Sequence, residues 1–174
     1  MGAVYSRTMF ELRRLQASHA PAVLAFERGN RGYFAASVPD RGDGFFERFG
    51  ERFGALLAEQ EAGVCAFHLL LDEDGSVVGR FNLVDIEDRA AVLGYRVAEH
   101  VAGRGVATAT VRELCGLAVS RYGLRALRAA VAHENAASRK VLVRNGFVLA
   151  RPAEPAELGG KRGSWYRREL DLQP

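Results

Sequence analysis

Two short stretches of this chain bring together residue types that could hold an anion and present a hydroxyl at a helix start. The first is Gly103-Arg104-Gly105, which follows a strand-like run, Leu93 to Ala98, and opens a helix-like one. Glycines admit left-handed backbone angles and let another molecule approach closely. At the start of a helix such a turn leaves backbone N–H groups facing outward to hold a phosphate, and Arg104 can add a charge-assisted contact. The same residues also suit an ordinary strand-to-helix turn, and the turn alone does not separate the two readings. The second stretch is Asn135-Ala136-Ala137-Ser138. Asn135 is a good helix N-cap. Ser138, one turn further on, can present its hydroxyl on the same side of that helix.

The elements that must position these residues are legible as hydrophobic periods. Phe10, Leu12 and Leu15 alternate, as in a first strand. Ser18 is the expected cap of a helix starting near His19, with Pro21 tolerated in its first turn. Residues 29–44 carry glycines at 29, 32, 42 and 44, and Pro39-Asp40-Arg41-Gly42 is a turn signal. Phe45, Phe49, Phe53, Leu56 and Leu57 make one amphipathic helix, with Glu47, Arg48, Glu51 and Arg52 on its wet side. Val64 to Leu71 and Val77 to Ile86 are strands joined at Asp74-Gly75, and Glu87-Asp88-Arg89 is the next turn. Ala107, Val111, Leu114, Cys115, Ala118 and Tyr122 form the apolar face of a helix over 106–122, stopped by Gly123. Leu127 to Ala132 is a strand. The helix opened by Asn135 ends at Asn145-Gly146. Phe147 to Ala150 and Trp165 to Leu172 are a last pair of strands around a polar loop, 151–163. The order is strand, two helices, three antiparallel strands, helix, strand, helix, two strands. That order predicts an α/β fold, with one mixed sheet and helices on both faces.

Composition narrows the function classes. The 174 residues suit one domain, 1–174, with a substantial core. A net charge of +3 suits a small polyanionic ligand and is too weak for nucleic acid. Cys65 and Cys115 are the only cysteines and sit in apolar runs, which points to buried free thiols, a reducing compartment and hence the cytoplasm. No apolar run reaches membrane-spanning length, and the first residues lack a secretory hydrophobic segment. His19, His68, His100 and His133 have no metal-ligand spacing, so no metal is expected. Phe45, Phe46, Phe49 and Phe53 read as core.

Taken together, Gly103-Arg104-Gly105-Val106-Ala107-Thr108, Asn135-Ala136-Ala137-Ser138 and Asn145-Gly146-Phe147 resemble the GNAT superfamily of acyl-CoA-dependent N-acetyltransferases. The Leu93-Gly94-Tyr95 entry and the Asn-x-x-Ser spacing are most similar to its ribosomal-protein (Rim-type) branch. The two motifs lie about thirty residues apart and are specific as a pair, whereas each alone is weak. The resemblance implies a single-domain GNAT-like fold with a mostly antiparallel sheet and acetyl-CoA as cosubstrate. It implies transfer of acetyl to a primary amine, such as a protein N-terminal α-amine, by direct attack on the thioester. By position, it assigns the backbone of Gly103, Arg104, Gly105, Val106 and Ala107 to the pyrophosphate. The strand edge at Tyr95, Arg96 and Val97 would take the pantetheine arm, with an N–H near Val97 on the thioester carbonyl. Asn135 would bind pantetheine, and Ser138 would protonate the departing thiolate. Ala102 stands where the family often has Gln or Arg. Leu142 stands where many relatives carry a tyrosine acid, which leaves Ser138 that role. Arg28, Arg31, Tyr33 and Arg41 fall where the family's first helical pair lines the acceptor site, with solvated surface the plainer role for each.

A fixed N–H stabilises the oxyanion that forms when an amine attacks a thioester. An α-amine titrates near ~8 and a lysine near ~10.4, so the former needs less help to lose its proton. Asp85, Glu87 and Glu134 are candidate bases, with surface solvation the plainer role for each. Two other functions fit parts of the chain. One is a non-catalytic acyl-CoA-binding module. The other is an NADP-dependent oxidoreductase, because Gly103-x-Gly105 begins a dinucleotide fingerprint and Arg125 follows at a distance suited to a 2′-phosphate. Thr108 breaks that fingerprint. The acceptor and the oligomeric state, a homodimer included, are left open by the residues.

Overall fold

The alternation around Leu12 forms a strand, β1 (Glu11–Arg14), in a computed structural model that describes residues 9–171. The expected end of the last strand at Leu172, and the N-terminal residues read for a signal, fall outside that range. Helix α1 (Ala20–Gly29) follows with Pro21 in its first turn. Its cap is not Ser18. A short 3-10 turn, Ala17–His19, precedes it, where the Gln16 N–H donates to His19 Nδ1 at 3.0 Å. The glycine-rich span 29–44 contains a helix ahead of its Pro39-Asp40-Arg41-Gly42 turn, α2 (Arg31–Ala35), whose Phe34 buries against Phe26. The single helix expected from Phe45 is two, α3 (Asp43–Glu47) and α4 (Phe49–Glu61), broken at Arg48. The break lets Phe45, Phe49 and Phe53 all turn into the core, where each is 8% exposed or less.

β2 (Ala66–Leu71), β3 (Val77–Glu87) and β4 (Ala90–Val97) form the expected antiparallel meander, although β4 begins three residues earlier than its apolar run suggested. Then come α5 (Val106–Ser120), β5 (Ala126–Ala132), α6 (Ala136–Arg144), β6 (Val148–Ala153) and β7 (Gly163–Glu169). The supposed loop 151–163 is partly strand and partly a 3-10 turn at Pro155–Leu158. Proline and arginine are tolerated in β6 because it is the sheet edge.

The seven strands run in the order β1-β2-β3-β4-β5-β7-β6. All neighbours are antiparallel except β4 and β5, which need the α5 crossover between them. Side chains alternate across the sheet. Arg80 and Arg96, opposite each other on β3 and β4, point to α1. His68, Phe81 and Tyr95, opposite one another on β2, β3 and β4, point to the α5–α6 side. The fold is therefore α/β, a mostly antiparallel mixed sheet with helices on both faces. Its centre is Phe81, Leu83, Leu114 and Leu127, none of them measurably exposed, each contributing about 1.5–3 kcal/mol by burial. Cys65 and Cys115 are buried and free, and burial pushes both thiols up. Among the described residues no helix is long and apolar enough to cross a membrane.

Candidate active site

β4 and β5 are paired only at their starts, Ala90 to Val92 against Ala126 to Arg128. Beyond that they part. β4 stays with β3 as far as Val97, and β5 stays with β7 as far as Ala132. The split opens a cavity of about 340 Å³ between Leu93-Gly94-Tyr95 on one side and Ala129 to Ala132 on the other. Antiparallel pairing also fixes which backbone groups face it. Ala98 N–H donates to Val78 O at 2.8 Å, so Arg96 and Gly94, two and four residues back, likewise spend their N–H groups on β3. Leu93, Tyr95 and Val97 turn theirs to the β5 side, and those of Tyr95 and Val97, beyond the last pair, Val92 with Arg128, face the split.

Of the three strand residues expected to meet pantetheine, Tyr95 and Val97 thus face the split and Arg96 does not. The Arg96 side chain also goes the other way, over the Phe34 ring at 4.6 Å and towards Glu27 Oε2 at 3.4 Å. Glu27 is 2% exposed and is held as well by Arg80 at 2.6 Å and by Arg41 at 3.2 Å. Burial, with Arg41 adding to it, lowers the Arg96 guanidinium to about 10.

The glycine turn has the geometry its sequence suggested. Gly103 and Gly105 have φ of 74° and 77°, and Gly105 is the left-handed N-cap of α5. A Cβ at either would meet nothing within 4 Å, so the backbone angle rather than crowding requires glycine. The N–H groups of Val106, Ala107 and Thr108 in the first helical turn lack intrahelical acceptors. Arg104 is exposed beside them.

Asn135 caps α6, its Oδ1 accepting from the Ser138 N–H at 3.2 Å. Asn135 and Ser138 both line the cavity, and the cap leaves the Asn135 Nδ2 donor unused. The Ser138 hydroxyl lies 2.8 Å from the Tyr95 hydroxyl. Tyr95 stacks on Phe81, ring centroids 5.5 Å apart and planes 8° from parallel. Burial pushes the Tyr95 phenol up to about 12. Leu142 adds only an apolar wall. Asn145 fastens the two site helices, Nδ2 donating to Thr108 O at 3.1 Å and to Val141 O at 2.9 Å.

Several lining residues escaped the sequence reading. Ser37, Val38 and Pro39, after α2, roof the cavity from one side, and Glu157, Leu158, Gly159 and Lys161 from the other. The two roofs touch. A Cβ on Gly159, whose φ is already 61°, would come within 2.7 Å of Pro39. Lys161 Nζ donates to Ser37 O at 3.0 Å and pairs with Glu134. Among the described residues Glu157 is the only acidic one on the cavity wall. Hydrogen bonds from Arg151, then from Trp165 and the Glu154 N–H, hold it down at about 2. The sole tryptophan among the last strands was the available signal for this corner. The structure does not bring the suggested bases to the cavity. Asp85 and Glu87 lie at the closed end of β3, and Glu134 is engaged by Lys161. Arg28, Arg31, Tyr33 and Arg41 do not line it either. Arg31 and Arg41 border a separate crevice of about 10 Å³, with Arg31 clamped to Asp40 and Asp43. Among the described residues no group of three or more His, Cys, Asp or Glu lies close enough to hold a metal.

A sheet split at one parallel pair, with a glycine turn and a capped helix at the split, has counterparts among known proteins. The profile of the acetyltransferase (GNAT) domain matches residues 10–148. No curated protein sequence matches the chain. The structure is similar to the ribosomal-protein-S5-alanine acetyltransferase from Vibrio fischeri. That likeness has TM-score 0.86, 21% identity, and covers 95% of this chain and 96% of that one. It is also similar to RimL, a ribosomal L7/L12 α-N-protein acetyltransferase solved with coenzyme A, at TM-score 0.84, 23% identity and coverage of 95% and 97%. A third likeness is to the microcin C7 self-immunity acetyltransferase MccE, solved with acetyl-CoA and AMP, at TM-score 0.81, 15% identity and coverage of 94% and 93%. At these identities the likenesses are of fold.

Proposed function

The chain belongs to the acetyltransferase (GNAT) family and is an acetyl-CoA-dependent N-acetyltransferase; on that premise we propose that it acetylates α-amines, with Ser138 and the open edge of β4 carrying the transfer. Neither a parallel dinucleotide-binding sheet nor a bare acyl-CoA-binding module is supported. The observation that carries the proposal is the split between β4 and β5, where inward N–H groups and a serine hydroxyl border one cavity.

The chain's own groups fit acetyl-CoA along that split. The first-turn N–H groups of α5, with Gly103, Arg104, Gly105, Val106 and Ala107 around them, suit the pyrophosphate, because an anion there replaces the acceptors the helix lacks. Tyr95 and Val97 offer β4 N–H groups to the pantetheine amides and the thioester carbonyl, and Asn135 Nδ2 adds a donor. A fixed N–H on that carbonyl stabilises the oxyanion formed on amine attack. The new C–N bond forms, the C–S bond breaks, and sulfur leaves with the electron pair. Ser138 supplies it with a proton.

The α-amine preference follows from what the cavity wall offers as a base. Glu157 titrates at about 2, so it attracts an ammonium group without accepting its proton. A lysine, near ~10.4, would arrive charged, whereas an α-amine near ~8 is partly free at neutral pH. The RimL likeness, to an α-N-protein acetyltransferase, supports a protein N-terminus as acceptor. The two buried free cysteines support a cytoplasmic setting, and we treat residues 1–174 as one catalytic domain.

The test is a mass-spectrometric screen with acetyl-CoA against free-N-terminus peptides, N-terminally blocked lysine peptides and small amines. Acetylation of the free N-termini is expected. Modification confined to lysines or small amines overturns the α-amine reading. Ser138→Ala should lower the turnover number about ten- to a hundredfold with acetyl-CoA affinity kept, and wild-type turnover would reduce Ser138 to a helix residue.

A further inference from the structure

Resting on the assignment of Ser138 as proton donor, we propose that Tyr95 acts through it as a positioning residue, its phenol aiming the Ser138 proton at the sulfur and replenishing it. The two hydroxyl oxygens are 2.8 Å apart, and Tyr95 and Ser138 both line the main cavity. A serine hydroxyl is a free rotor with one proton and two lone pairs. What it bonds decides where its proton points. A phenol is the better donor of the pair and an alkyl hydroxyl the better acceptor. Tyr95, titrating at about 12, is protonated across the working pH range. Tyr95 therefore donates to Ser138 Oγ, which turns the serine proton away from Tyr95 and into the cavity. The competing acceptor for the phenol, Ser138 O, is at a longer 3.4 Å.

The geometry leaves the phenol little freedom to do otherwise. The stack on Phe81, itself fully buried, fixes the ring plane. The Asn135 cap fixes the serine backbone. The Tyr95 hydroxyl thus ties β4 to the first turn of α6. Leu142, the one other long side chain on this wall of α6, has no hydroxyl to share the task.

The proton balance is closed. As the C–S bond breaks, sulfur takes the Ser138 proton and Ser138 takes the Tyr95 proton. Ser138 is spared the far more basic alkoxide, and the Tyr95 proton is restored in the same shift, so no lasting phenolate forms where the phenol sits at about 12. The proton that the acceptor amine lost to water returns to Tyr95 through solvent. The net change is one proton from nitrogen to sulfur, with no other reactant.

The experiment is a double-mutant cycle on the full-length protein, using Tyr95→Phe, Ser138→Ala and the pair, with turnover number and acetyl-CoA dissociation constant measured for each. Tyr95→Phe keeps the ring stack, and its melting temperature checks that the fold is retained. Turnover should fall about ten- to a hundredfold in either single variant, and the double variant should be no slower than Ser138→Ala alone, with acetyl-CoA affinity unchanged throughout. Losses that multiply in the double variant, or wild-type turnover in Tyr95→Phe beside a slow Ser138→Ala, overturn the inference alone. Wild-type turnover in Ser138→Ala removes the serine assignment and this inference with it. An acyl thioester with a more acidic thiol supplies a second readout. It should shrink the Tyr95→Phe defect, and an equal defect with both thioesters counts against proton delivery.

Discussion

The interior of the β1–β4 half of the sheet and the split between β4 and β5 are both furnished with polar side chains in good hydrogen bonds, yet they do different work. In the sealed half, Glu27 is gripped by Arg80, Arg41 and Arg96, and His68 shares a 2.8 Å hydrogen bond with the Tyr122 hydroxyl. At the split, Tyr95 and Ser138 share a hydrogen bond of the same length. His68, Phe81 and Tyr95 even stand in one cross-strand row. The difference is what lies beyond each pair. His68 is buried and Glu27, with Arg41 and Arg96, borders only a crevice of about 10 Å³, whereas the groups at the split border a cavity of about 340 Å³. Burial moves His68 to about 4 and Tyr95 to about 12, so a displaced titration does not by itself mark chemistry. Displaced titration next to open volume is the more telling combination.

The comparison breaks most readily at Glu27. Glu27→Ala leaves Arg80 buried at 5% exposure with no carboxylate, and removing one member of a buried ion pair costs about 3–5 kcal/mol. Urea denaturation should register that loss, while the turnover number per folded molecule stays near wild type. A catalytic loss larger than the folded fraction explains would make the sealed half part of the site.

A smaller effect is expected from His68. Its folded-state value, about 4, lies below the ordinary 6.5, so the unfolded chain binds the proton first as pH falls. The stabilisation is complete above pH 6.5 and is lost between 6.5 and 4, amounting to about 3 kcal/mol. His68→Gln keeps a partner for Tyr122 and cannot titrate in this range. Wild type should lose about 3 kcal/mol more than His68→Gln between pH 7 and pH 4, as read from urea midpoints at each pH. Parallel curves would mean that acid unfolding is set by carboxylates alone.

The sequence made the split half of the molecule more legible than the sealed half. Gly103, Gly105 and Asn135 act through backbone angles and a local cap, which depend on near neighbours and so show in local spacing. The meander was readable for the same reason, since each turn lies between the strands it joins. Glu27 could not be foreseen, because its partners at 41, 80 and 96 come from one loop and two strands. The family resemblance places Tyr95, Arg96 and Val97 together at the pantetheine edge. Only the register with β3, fixed by pairs such as Phe81 with Tyr95, shows which of two adjacent residues faces the split. The break at Arg48 was hidden because Phe45, Phe49 and Phe53 keep helical spacing straight through it. Glu157 and Lys161 reach the cavity from a loop with no periodicity.

Asn135 belongs to both sides of the comparison and carries the smallest expected effect. Its Oδ1 satisfies the Ser138 N–H, a structural task, and its Nδ2, on a residue that lines the cavity, is a donor that suits the pantetheine arm. Asn135→Ala removes both, at about 1 kcal/mol of stability for the cap. Asn135→Asp separates them. It keeps the acceptor for Ser138 and a carboxylate favoured near a helix N-terminus, but removes the donor. Stability should therefore be restored in Asn135→Asp, while the Michaelis constant for acetyl-CoA stays raised in both variants. Thermal melts and steady-state kinetics read the two quantities separately. If the aspartate restores both, the cap is all that Asn135 supplies, and the split loses one of its assigned contacts. If it restores neither, the cap distance of 3.2 Å marks a weak bond, and the loss of stability has another source in the α6 start.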